Sequence, residues 1–258
     1  MSRRKNSTRT GSPDIAPPPG AAPQNNAGFT FVTPTEFVEL PSRGQFYDEN
    51  HPLHGSEVIE IKHMTAKEED ILTSETLLKN GLALNRLLQS VIIDKNIHPD
   101  SLLIGDKNAV LIAVRQTGFG DVYNTSVTCP ACGATNEKDF SLEEKEVKES
   151  IVPDGVTLLE SGNFVLRDDK YDLDLEIRLL TGLEETRITK TLENKKKIKK
   201  ETGTVTTMLR NIVVGVNDMK QAAVIEQVVN AMPVDLSRKI RNVYDSIMPN
   251  VGIYADFE

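Results

Sequence analysis

The residues in this chain best suited to chemistry are two cysteines three apart, in Thr128-Cys129-Pro130-Ala131-Cys132-Gly133. A C-P-x-C-G turn after a strand is the shape of a zinc knuckle. The glycine lets the chain curl, and two thiolates at this spacing reach one metal ion. Structural zinc takes four ligands, so Cys129 and Cys132 make half a site. Of the histidines at 51, 54, 63 and 98, His51 and His54 have a ligand-like spacing. The same run also reads as a polar turn ahead of a strand. A turn with unligated thiols is the second reading of the cysteines. A redox pair is the third, but it needs the CxxC to open a helix in a thioredoxin-like pattern, and the sequence has none.

Other catalytic arrangements are missing from the sequence. It carries no Ser/His/Asp order, Walker-type loop or His-rich cluster. Gly118-Phe119-Gly120 lacks the strand-before-helix setting of a dinucleotide site and reads as a tight turn. Glu68-Glu69-Asp70 could pass for catalytic carboxylates, but acidic residues at a helix N-terminus complement the helix dipole. The reading is therefore that the chain is not an enzyme.

The elements that position these residues occur twice. Ile59–Thr73 reads IEIKHMTAKEEDILT, and 116 positions on Leu175–Thr189 reads LEIRLLTGLEETRIT, with six of fifteen residues identical. In each copy a short strand runs into a helix with a capping box, Thr65 with Glu68 and Thr181 with Glu184. The match continues in order. A Leu-rich helix around Leu82–Ile92 is set against Met208–Val213, and Asp106–Val114 against Asp235–Val243, both expected to be helices opened by an Asp cap. The lysine-rich Glu193–Thr204 stretch extends a helix to Gly203. Short strands are then expected at Val122–Thr128 and Val251–Phe257, with Asn136–Leu142 returning after the cysteines. Glu143–Ser150 reads as an acidic, partly helical connector. By this register Cys129 falls on Glu258, so the cysteines of a second knuckle are expected just past the last residue.

These patterns give an α+β fold of two tandem, duplicated strand–helix–helix–strand domains, 29–150 and 151–258, the first ending in a zinc-knuckle-like β-turn. Residues 1–28, rich in Ser, Pro, Ala, Asn and Gly, read as a disordered arm. There is no Trp, so the core must be aliphatic. A net charge of −8 argues against a nucleic-acid partner held by bulk electrostatics. No stretch is apolar enough for a membrane span, and a cytosolic product is the default.

The run LPSRGQFYDENHPLHGSEVIEIKHMTAKEEDILTS, the Leu-rich helix, IGDKNAVLIAVRQTGFGDVY and VTCPACG together resemble the family of baseplate hub subunits and hub assembly proteins of T-even-like contractile-tailed phages. The resemblance covers most of Phe37–Leu142 and returns in LEIRLLTGLEE and MPVDLSRKIRNVYDSIMPNV. It implies a structural or assembly protein of the phage tail baseplate, made in the host cytoplasm, with other hub or wedge proteins as partners. A homo-oligomer completing paired zinc half-sites is a further expectation. Two alternatives stand beside it: an assembly chaperone absent from the mature virion, and a zinc-knuckle nucleic-acid-binding protein. Arg43, Phe46 and Tyr47, of residue types enriched at interface cores, are the expected protein contacts, with ordinary packing against their own domain as the other reading.

Overall fold

The computed structural model describes residues 31–129, 132–198 and 203–253. The expected arm, 1–28, and the end of the expected strand Val251–Phe257 lie outside them. By its contacts the chain divides at Thr33, and the described helices and strands all belong to the body that begins at Pro34.

The first half opens with a hairpin, β1 (Thr35–Glu39) antiparallel to β2 (Val58–Lys62), with Val38 opposite Ile59. Ile59 and Ile61 are buried while Val58 is exposed, the period-two pattern of a half-buried strand. Thr65 caps α1 (Ala66–Thr73), followed by α2 (Glu75–Lys79) and α3 (Ala83–Val91). The core face of α3 is Leu87, Leu88 and Val91, the helical spacing expected of one buried stripe. The chain then returns to β2, with Ile92 bridged antiparallel to Ile61. After a single 3-10 turn at Pro99–Ser101 comes α4 (Ile104–Phe119), which stops at Gly120, held at φ +80°. A long hairpin, β3 (Val122–Thr128) with β4 (Thr135–Ser141), carries the cysteine turn at its tip, and β5 (Glu146–Lys148) comes next.

The second half has β6 (Val156–Leu158), β7 (Phe164–Asp168) and β8 (Leu173–Ile177), then α5 (Gly182–Lys197), α6 (Thr204–Ile212), β9 (Val213–Val216), α7 (Ala222–Ala231), α8 (Val234–Ile247) and β10 (Asn250–Gly252). Strands β6 to β9 form one antiparallel sheet in chain order. In it Ile177 faces Val213 across β8 and β9, as Ile61 faces Ile92. Each half thus has a hairpin, a capped helix, a second helix, a return to the hairpin's inner strand and a long helix.

One aliphatic core runs through both halves. Leu88, Ile92, Leu102 and Val110 share it with Leu175, Ile177, Ile212, Ile240 and Ile247. Among the described residues no helix is long and apolar enough to cross a membrane.

Four sequence expectations change. Glu143–Ser150 is not helical: β5 pairs with β10, and Val147 sits opposite Val251. That pairing spans a hundred residues and leaves no local signal. Asp106 and Asp235 are not caps, because Leu103 and Pro233 hold those positions and the aspartates lie inside the first turns. Gly203 opens α6 at φ +53° rather than ending a helix. The second half has helix α7 ahead of its long helix, where the first has only the 3-10 turn.

Candidate functional site

The connector 40–57 between β1 and β2 is folded around one carboxylate. Leu40-Pro41-Ser42-Arg43-Gly44 makes a tight turn, with Arg43 at φ +49° and Gly44 at φ +70°. A Cβ on Gly44 would lie 2.4 Å from the Ser56 nitrogen, so the turn requires glycine. The turn drives Ser42 into the interior, where its N–H (3.0 Å) and hydroxyl (2.6 Å) donate to the two oxygens of Asp106. Tyr47 donates to Asp106 Oδ2 at 2.7 Å, and its oxygen accepts the Leu103 N–H at 3.1 Å. Asp106 is wholly buried, near the positive end of α4. Burial pushes its carboxyl up, while the hydrogen bonds from Ser42 and Tyr47 oppose that. Burial, followed by the Asp106 charge, drives the Tyr47 phenol well above its usual range.

The second half has a looser counterpart. Tyr171, between β7 and β8, donates its hydroxyl to Asp235 in the first turn of α8, at 2.9 Å to Oδ1. Asp235 is exposed and also pairs with Lys170; these hydrogen bonds hold it at about 2.

The two capping boxes also correspond. At the first, the Thr65 N–H donates to Glu68 Oε2 at 2.9 Å, and the hydroxyl donates to the same oxygen. Lys62 reaches Glu68 at 2.8 Å, as Arg178 reaches Glu184 at 3.4 Å, again 116 residues on. Glu68 is 0% exposed. Burial alone would raise its carboxyl, but the hydrogen bonds from Lys62, Ser90 and Thr65 outweigh it and bring it to about 2. At Glu184 burial likewise opposes, and bonds from Thr181 with the Arg178 charge lower the carboxyl. Both glutamates are committed to donors of their own fold, so their arrangement is that of structural clamps.

The halves meet where α4 begins. Leu103 bridges Thr181: the Ile104 N–H donates to the Leu180 carbonyl (3.1 Å) and the Gly182 N–H to the Leu102 carbonyl (2.9 Å). Lys107, nearly buried, pairs with Glu185 at 2.9 Å. Pro249 of the second half presses on Gly105, where a Cβ would lie 2.0 Å from its carbonyl oxygen.

The expected site residues do not gather. Phe46 and Tyr47, expected on a contact surface, are 8% and 4% exposed; Phe46 packs on Phe164, ring centroids 5.5 Å apart. Arg43 alone of the three is exposed, beside Glu149 at 2.7 Å. His51 stacks on Tyr47, accepts the Leu53 N–H at Nδ1 and contacts Ser101 through Nε2. Burial lowers its pKa. His54 Nδ1 lies 2.8 Å from the Tyr47 carbonyl and donates to it. Both imidazoles are therefore engaged by groups of their own fold. Cys129 and Cys132 sit at the tip of the β3–β4 hairpin, where the Cys129 N–H donates to Ala134 and the Gly133 N–H to Cys129. Among the described residues no three His, Cys, Asp or Glu side chains are grouped to hold a metal ion.

Sequence reasoning missed Ser42 and Asp106 as a pair. No local signal marked the pair, because Ser42 and Asp106 lie 64 residues apart. A family model described as T4 bacteriophage base plate protein matches residues 33–255. No curated protein and no solved structure matches the chain.

Proposed function

The chain belongs to the T4 bacteriophage base plate protein family, and from that premise we propose that it serves in the central hub of the baseplate as a structural or assembly component. It acts there through protein–protein contacts, with hub or wedge proteins as neighbours, and no reaction is assigned to it. The observation that carries the baseplate role is the extent of the match: residues 33–255 take in every element from β1 to β10. The buried charges support it. Asp106, Glu68 and Glu184 are each used up in hydrogen bonds that hold the fold. We further propose that the two halves descend from one duplicated unit. Supporting this are the paired capping boxes and the two return bridges, Ile61–Ile92 and Ile177–Val213.

The test is to delete the gene from its phage and image the tail intermediates. The expected result is wedges without a complete hub. Normal tails would overturn the assignment. Mass spectrometry of purified virions then separates a resident subunit, present in mature particles, from an assembly factor that leaves.

A further inference from the structure

The joint between the halves runs one way. The start of α4 is covered by two pieces of the second half: the capping loop Leu180–Gly182 and the segment before β10 at Pro249. Aligned on their first residues, α4 and α8 correspond with Ile104 at Val234, one position off the sequence register that set Asp106 on Asp235. The core-facing Val110, Ala113 and Val114 of α4 then fall on Ile240, Val243 and Tyr244, all buried. The agreement ends on the other face. Leu102 and Leu103 are buried, whereas Met232 is half-buried, Pro233 exposed and Val234 67% exposed. On α8 that face is an open groove with Val234, Arg238 and Asn242 along it.

The first half carries the complementary surface, also uncovered. Thr65 and Ala66 are exposed where Gly182 is buried, and Val122, at the start of the strand after α4, is 62% exposed. The Ala66 and Val234 amides are first-turn donors with no partner inside their helices, the role that Gly182 and Ile104 fill across the joint. Charges agree as well: Glu69 and Asp70 are exposed on α1, and Arg238 on α8.

We propose that the start of α8 in one chain docks on the Thr65 capping loop of a second copy, repeating between chains the joint that α4 makes with the Thr181 loop within one. Such a contact is heterologous, so copies add head to tail and close into a ring or extend as a filament. It rests on the equivalence of the two halves and not on a place in the hub.

Sedimentation velocity on the full chain across a concentration series tests it. Wild type associates. Val234→Asp and Ala66→Arg each weaken association at least about tenfold, since either removes one face of every contact. An equimolar mixture of the two variants forms 1:1 dimers and nothing larger, because each retains one intact face. Circular dichroism checks their folding; if either unfolds, Arg238→Glu and Glu69→Ala replace them. A monomeric wild type, variants that associate normally, or a mixture that stays monomeric would each overturn the contact. The equivalence of the halves would survive, being read from Ile61–Ile92 and Ile177–Val213.

Discussion

Tyr47 and Asp106, 59 residues apart, share a 2.7 Å hydrogen bond inside the protein. The bond ties the β1–β2 connector to the first turn of α4, and the same phenol oxygen receives the Leu103 amide. Tyr47→Phe removes the donor to Asp106 and leaves two buried polar groups short of a partner. Leaving such groups unsatisfied costs about 1–3 kcal/mol each. We expect Tyr47→Phe to lower unfolding free energy in urea by about 2 kcal/mol, and Asp106→Ala by more, because Ser42 is stranded too. A change within error for both would mean the connector is held by packing alone.

Legibility in the sequence depends on range. The capping boxes are set by residues three apart, and both formed where expected. The cysteine hairpin was readable for the same reason: a Gly-containing turn between two strands is local. The α3 and α6 helices were marked by their apolar stripes. Asp106 was misread because an Asp in a first helical turn looks like a cap until its distant donors are known. Phe46 and Tyr47 could be read as contact surface or as core, because an aromatic after a tight turn carries no mark of which way the chain folds back. The β5–β10 pairing has the same cause at longer range.

Glu68 makes stability depend on pH. Its folded carboxyl lies at about 2, below the ordinary 4.5. A depressed carboxyl contributes stability that is fully present above the unfolded value and lost as pH falls toward the folded one. Melting temperature should therefore fall between pH about 4.5 and about 2. Glu68→Gln should be less stable than wild type at neutral pH, by up to about 3 kcal/mol, since each tenfold change in proton affinity is worth about 1.4 kcal/mol. It should also lose part of that slope. Parallel pH profiles for wild type and variant would show that Glu68 is not the group responsible.

The joint between the halves should be sensitive at Gly105. A methyl there meets the Pro249 carbonyl oxygen at 2.0 Å, and that neighbour is backbone. Something must shift, and overpacking of this kind costs about 1–3 kcal/mol. The strain falls on the segment leading into β10, so Gly105→Ala should raise amide exchange at Val251 before it affects Ile61. Gly120→Ala has open space around it but needs φ +80°, so its cost should stay local to the end of α4. Hydrogen exchange of the two variants side by side checks this, and identical patterns would count against the joint as described.

Zinc at the β3–β4 tip is a matter of ligand number. Cys129 and Cys132 offer two thiolates, and a tetrahedral structural site needs four ligands. His51 and His54 are engaged with Leu53, Ser101 and the Tyr47 carbonyl, and turning them outward would break those bonds. A zinc shared by two chains would bring four thiolates together, Cys129 and Cys132 from each. A zinc titration followed by metal analysis should saturate at one ion per two chains, and Cys132→Ser should abolish binding. Removing the ion with a chelator should leave the melting temperature of the Pro34 body almost unchanged, because the turn is already closed by the Cys129 and Gly133 amides. One ion per chain that survives Cys132→Ser would place the metal elsewhere and end the half-site reading.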